Sequence, residues 1–142
     1  MRMTTTENQR TGPAPIARRG KVLIVDDDPK DLRSLSLTFQ QQGHDVRACA
    51  SYLEALRHME SEVFDFVVVN QGSREFEGRS VLVRAIEIDR HTPVVVLTRC
   101  VDMGCYMEAM QLGALDYLEK PIATADLVWQ ARNHLRPPDS RA

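Results

Sequence analysis

Little in this chain suits covalent, membrane or disulfide chemistry. Its three cysteines, Cys49, Cys100 and Cys105, are an odd number, which does not suit a disulfide framework. Cys100 and Cys105 fit the spacing of no common metal or redox pair, and no second Cys or His cluster accompanies them in the sequence. All three are expected to be small, half-buried thiols. No apolar run approaches the roughly 18 residues of a membrane span, and the N-terminus carries no apolar stretch of the secretory kind. A reducing, cytoplasmic setting is therefore expected. A strong charge of one sign is missing too. The net charge of -2 provides no general attraction to nucleic acid or to an anionic membrane. That charge is unevenly spread: Arg2, Arg10, Arg18, Arg19 and Lys21 against Glu7 leave residues 1–21 at +4 and the remainder at -6. Five basic groups near one end are a weak signal, so nucleic-acid binding is not expected.

What the chain does have is an apolar fraction of 43%, a charged fraction of 27% and 142 residues, enough for one ordinary globular domain with a core. Residues 1–20 lack periodicity and are read as a flexible arm, and residues 137–142, opening on Pro137-Pro138, as a disordered tail. The unit between them, residues 21–136, alternates sharply. Val22–Val25 is a short apolar run that reads as a buried strand. Asp28 and Pro29 suit the cap and first turn of a helix carrying Leu32, Leu35, Ser36 and Phe39 and closing at Gly43. His44–Cys49 is a weaker strand, and Ser51 caps a helix bearing Leu53, Leu56 and Met59. Phe64–Val69 is a third strand, ending at Asn70; after the polar loop Gln71–Glu77, Gly78 starts a helix with Val81, Leu82, Ala85 and Ile86. Pro93–Leu97 ends at Thr98, Asp102 caps a helix reaching Leu112 and Gly113, Leu115–Glu119 ends at Lys120-Pro121, and a last helix runs from Thr124 to Leu135.

Five strands alternating with five helices require a parallel sheet covered on both faces. Right-handed crossovers favour the flavodoxin-like (βα)5 three-layer α/β sandwich with strand order 2-1-3-4-5. The working site of such a sheet lies at the carboxyl ends of its strands, where Asp26, Asp27, Asn70, Thr98 and Lys120 should converge. Paired acids there suit an oxygen-loving ion such as Mg2+. A central carboxylate would be a nucleophile for phosphoryl groups, and a hydroxyl with an ammonium would bind phosphoryl oxygens.

The segments Val22-Leu23-Ile24-Val25-Asp26-Asp27-Asp28-Pro29, Val94-Val95-Val96-Leu97-Thr98 and Gly113-Ala114-Leu115-Asp116-Tyr117-Leu118-Glu119-Lys120-Pro121 resemble the receiver domain of bacterial response regulators, over residues 21–136. The resemblance implies that Asp26 and Asp27 are the metal acids, Thr98 the switch hydroxyl and Lys120 the phosphoryl-binding ammonium. Tyr117 would be the aromatic that changes rotamer on activation, and Lys120-Pro121 a candidate cis peptide. It also implies signalling partners, a histidine kinase or an effector, and dimer or partner contacts through the fourth helix, fifth strand and fifth helix. There Tyr106, Met107, Met110 and Trp129 are the candidate anchors, while Leu127, Val128, Ala131 and Leu135 face the sheet.

The chain departs from the family at the centre. Asn70 stands where the phosphorylated aspartate would be, and Asp65, at the opposite end of that strand, is no substitute. Arg74 replaces a usual proline, and Arg99 a usual small residue, able to crowd the phosphate pocket and to lie over Asp27. Three departures together argue against an isolated blocking substitution. An amide is uncharged and weakly nucleophilic, so Mg2+ is expected to bind weakly or not at all. Relief of like-charge repulsion among three clustered carboxylates amounts to about 4 kcal/mol at most for a pair 4 Å apart. No nucleophile–base pair or cofactor loop occurs elsewhere, so an independent enzyme is not expected. No helix-turn-helix or enzymatic segment follows the last helix in this sequence, so the output is expected to be a protein contact. The reading is a pseudo-receiver independent of phosphorylation; the alternative is a conventional Mg2+-dependent, phosphoryl-accepting regulator in a blocked form.

Overall fold

The computed structural model describes residues 20–135. The expected arm, Gly20 aside, and the expected tail lie outside them. In chain order the elements are β1 (Lys21–Val25), α1 (Pro29–Gln41), β2 (Asp45–Cys49), α2 (Tyr52–Met59) and β3 (Phe66–Asn70). They continue with α3 (Arg79–Ile88), β4 (Val94–Thr98), α4 (Met103–Leu112), β5 (Asp116–Glu119) and α5 (Thr124–His134). All strand pairings are parallel and the order is β2-β1-β3-β4-β5, the flavodoxin-like arrangement expected from the alternation.

The strands form because β-branched runs fit a pleated surface buried on both faces. β1, β3 and β4 alternate their side chains between two cores. Leu23, Val25, Val67, Val69, Val94 and Val96 pack with Ala55 and Met59 of α2, Val81, Leu82 and Ala85 of α3, and Cys105 and Ala109 of α4. Val22, Ile24, Phe66, Val68, Val95 and Leu97 pack with Leu35 and Phe39 of α1 and Leu127 and Ala131 of α5. The helices thus divide three to one face and two to the other.

The caps are local. Asp28 Oδ1 accepts the N–H groups of Lys30 and Asp31 at 2.9 and 3.3 Å, Ser51 Oγ that of Glu54 at 3.1 Å, and Asp102 Oδ1 that of Cys105 at 2.9 Å. Each satisfies a donor that the first helical turn leaves without an intrahelical partner. Gly113 ends α4 with φ +107°, a conformation that costs a side-chain-bearing residue about 1 kcal/mol or more.

Several boundaries move. β3 begins at Phe66, not Phe64, because the Asp65 carboxylate already accepts the Lys21 N–H at 2.8 Å at the foot of the sheet. It runs through Asn70, whose side chain therefore leaves from the strand's last residue. Gly78 is the cap of α3 and not its first residue; a Cβ there would collide with the Asn70 carbonyl oxygen. Of the thiols, Cys49 and Cys105 are fully buried and Cys100 is exposed, so none matches the half-buried expectation. Val128 is only partly buried beside Leu127. The Lys120-Pro121 peptide is cis.

Candidate functional site

The carboxyl ends of β1, β3, β4 and β5 bring Asp26, Asp27, Asn70, Thr98 and Lys120 to one rim of the sheet. The parallel registers put Val25 beside Val69, Asn70 beside Leu97, and Thr98 beside Glu119. Asp26 is almost wholly buried. Its Oδ1 accepts the Asp28 N–H at 3.0 Å, and its Oδ2 accepts Lys120 Nζ at 2.7 Å. The Lys120 ammonium, only 7% exposed, also donates to Asp31 Oδ2 at 2.8 Å. Asp27, by contrast, is exposed.

Arg99 does not lie over Asp27 as the sequence suggested. Its Nη2 donates to Asp28 Oδ2 at 2.5 Å and to Asp31 Oδ2 at 2.6 Å. The reason is geometric: α1 starts directly behind the acid pair, so its cap and first turn present two carboxylates to the loop after β4. The Asp28 carboxyl is held below the ordinary range by the Asp31 backbone N–H and by the Arg99 guanidinium. Arg99 is raised in turn by Asp28 and Asp31. Two cations thus bind three carboxylates, and Asp31 bridges them.

Asn70 Nδ2 faces Asp27 Oδ1 at 3.4 Å, a long contact for an amide donor. The Asn70 carbonyl accepts Tyr52 Oη–H at 3.0 Å. Burial, followed by the charge of Asp27, pushes the Tyr52 phenol up to about 12. Asp27, Asn70, Tyr52, Ser73, Glu77 and Arg99 line one open groove. The donors there do not fit a tight Mg2+ site. Both Asp26 oxygens are engaged, and Asn70 turns its amide nitrogen toward the Asp27 carboxylate. Mg2+ relies on carboxylates and phosphate oxygens in near-octahedral array.

Thr98 is buried, and its hydroxyl donates to the Cys100 carbonyl at 2.9 Å while accepting the Cys100 N–H at 3.1 Å. Tyr117 points inward, with its hydroxyl donating to Gln71 Oε1 and accepting the Asp102 N–H at 3.2 Å. Gln71 is 2% exposed, and its amide also donates to the Ser73 carbonyl at 3.1 Å. The first residue of α3 and the loop after β3 are each tied to α4. Arg79 pairs with Glu108 through Nε at 2.5 Å and Nη2 at 2.9 Å, and Cys105 Sγ–H donates to the Arg74 carbonyl at 3.5 Å.

The candidate interface residues lie on elements flanking the edge strand β5. Tyr106, Met107 and Met110 are exposed on α4, and Trp129 is 60% exposed on α5. Tyr106 packs edge-on against Tyr117, with ring centroids 5.6 Å apart, which connects the inward tyrosine to that surface.

Sequence reasoning missed Asp31 and Gln71. A signal for Asp31 was present: four acids in six residues, Asp26, Asp27, Asp28 and Asp31, with Lys30 as the only local base, require cations from elsewhere. Gln71 offered none, because a glutamine opening a polar loop reads as solvated.

The rim of acids, hydroxyl and lysine on this five-stranded sheet defines a receiver domain, and the comparisons agree. The family model described as response regulator receiver domain matches residues 22–132. The chain belongs to that family. It is 32% identical over 122 residues to the transcriptional regulatory protein PrrA of Mycobacterium tuberculosis, which covers 86% of this chain and 52% of PrrA. It is 31% identical over 101 residues to the transcriptional regulatory protein ZraR of Escherichia coli, covering 71% of this chain and 23% of ZraR. The chain thus spans between about a quarter and a half of the curated relatives it matches. Among solved structures it is similar to a CheY-like receiver domain protein from Methanospirillum hungatei, with TM-score 0.74, 25% identity and coverage of 80% and 90%. Its place is in two-component signalling. No helix among the described residues is long and apolar enough to cross a membrane.

Proposed function

We propose that this domain is a pseudo-receiver: it signals through protein contacts in a two-component or phosphorelay pathway without accepting a phosphoryl group and without enzymatic activity of its own. Asn70 at the phosphoacceptor position carries this reading. An amide has no charge to attract the metal and no lone pair nucleophilic enough to form an acyl phosphate.

The surroundings support it. The lysine and the arginine of the rim are already neutralised by Asp26, Asp28 and Asp31, so an incoming phosphoryl group would have to displace buried or half-buried ion pairs. Gln71 supplies Tyr117 with an internal acceptor, which favours a single rotamer without any trigger. Ligands shift equilibria only where two states differ in affinity. A domain whose switch residues are satisfied internally works in one state, as a docking surface through α4, β5 and α5. Its partners are a kinase or effector, or a second copy, in the cytoplasm.

The second reading, a conventional regulator in blocked form, draws on the retained Asp26, Asp27, Thr98 and Lys120. Acetyl phosphate with Mg2+ separates the two. Native protein should show no phosphoprotein and no change in amide spectra around Asn70, Thr98 and Lys120, and saturable shifts there would overturn the proposal. An Asn70→Asp variant that stays inert supports the pseudo-receiver. Phosphate uptake with a change in oligomeric state supports the alternative.

A further inference from the structure

A second constellation lies where β2 meets α2, on the face of the sheet away from α1. Cys49 is the last residue of β2, and Glu54 and His58 stand one turn apart on α2. One ligand atom from each, the Cys49 Sγ, a Glu54 carboxylate oxygen and a His58 ring nitrogen, lie within 4.8 Å of one another. We propose that Cys49, Glu54 and His58 bind a divalent transition ion of the Zn2+ or Co2+ class, with water in the fourth position.

Three features make this more than three residues in proximity. First, the ligand types suit such an ion: a thiolate, an imidazole and a carboxylate are the groups that tetrahedral Zn2+ takes. Two anionic ligands and a neutral imidazole cancel a divalent charge, so the partly buried site would hold no net charge.

Second, the imidazole is oriented. His58 Nδ1 lies 3.1 Å from Glu62 Oε2, and with Nδ1–H donating, the Nε2 lone pair is the one left for a metal. A carboxylate behind a ligating histidine is the usual support of such sites. Glu62 is itself fixed, accepting Lys21 Nζ at 3.2 Å and Arg47 Nε at 3.1 Å. Two cations thus hold this carboxylate in place behind the imidazole.

Third, Glu54 is preset. One carboxylate oxygen accepts the Ala50 N–H at 3.2 Å, and the other remains for the ion. The Cys49 sulfur and a Glu54 carboxylate oxygen lie within 4.8 Å of each other, so the two anionic ligands converge on one point. On binding, the Cys49 S–H bond breaks, the proton passes to solvent and a metal–sulfur bond forms, with no change of oxidation state.

The test is titration of the reduced, tag-free full chain with Co2+ alone. A thiolate-to-cobalt charge-transfer band in the near ultraviolet, with visible bands of tetrahedral intensity and displacement by Zn2+, is expected. The band should vanish in Cys49→Ser, persist in Cys100→Ser, and need at least about tenfold more Co2+ in Glu62→Gln, the range for loss of a supporting carboxylate. Because Cys49 is buried, His58→Ala, on the solvent side, is the control for folding, and it should also lose the band while keeping its far-ultraviolet circular dichroism. Absence of any charge-transfer band in the native chain, a band that follows Cys100, or one unaffected by His58→Ala would overturn the proposal.

Discussion

Replacing Lys120 with methionine tests the electrostatics of the rim most directly. The side chain keeps its length and loses its ammonium, leaving Asp26, whose side chain is 2% exposed, without the cation 2.7 Å away. At an effective dielectric near 20 the gross attraction in such a pair is about 6 kcal/mol. Much of that is offset by the desolvation of both ions, so the pair as a whole contributes little net stability. Removing one partner is different, because the other stays buried with its charge exposed to no solvent. The expected loss is about 3–5 kcal/mol, softened toward the lower figure because the Asp28 N–H still donates to Asp26. Asp31 loses a partner as well but keeps Arg99. Urea denaturation followed by far-ultraviolet circular dichroism measures the effect; exposed Trp129 is a poor reporter. The double variant Asp26→Asn Lys120→Met should recover at least about half of the loss, since neither charge is then stranded. A loss under about 1 kcal/mol for Lys120→Met, or no recovery in the double variant, would refute a buried pair and with it the claim that the rim is neutralised from within.

Gln71→Leu removes the acceptor of the Tyr117 hydroxyl at a buried position and should cost about 1–3 kcal/mol; broadened or doubled Tyr117 ring resonances would report release of the rotamer, and an unchanged ring would refute the lock. Asn70→Asp should bind Mg2+ at least about tenfold more tightly than the native chain, because a carboxylate is restored to a site that lacks one. Equal affinities in a calorimetric titration would show that Asp26 and Asp27 alone set the site. Acid should destabilise the fold. Glu62 lies below its ordinary 4.5, with Arg47 and Lys21 as the cause, and Asp28 lies below 3.8. A depressed carboxylate contributes stability above its unfolded value, and that stability is lost as pH falls through the folded one. The melting temperature should therefore drop below about pH 4.5, less steeply in Glu62→Gln and at high salt, and a flat profile down to about pH 3 would contradict these pairings.

Much of the architecture was legible because the signals are local. A run such as Val67-Val68-Val69 cannot be solvated on either face, and Asp28, Ser51 and Asp102 cap helices through bonds within three residues. Alternation then leaves few topologies, and the order of the strands puts Asp26, Asp27, Asn70, Thr98 and Lys120 on one rim. The chemical deficit at Asn70 was also legible, since it depends on the side chain's identity and not on its surroundings.

What tertiary structure alone decided is how the charges and polar groups pair. Arg99 reaches Asp28 and Asp31 across a sequence separation of 68 residues or more, Lys120 reaches Asp26 and Asp31 across a similar span, and Gln71 meets Tyr117 only because β3 and β5 flank β4. Sequence patterns specify which residues must leave water. They do not specify which ion a long side chain finds, because several acids lie within its reach and small differences in distance and burial select among them. The same holds for Cys49, Glu54 and His58, a strand end and two positions on a helix surface until packing sets α2 against β2.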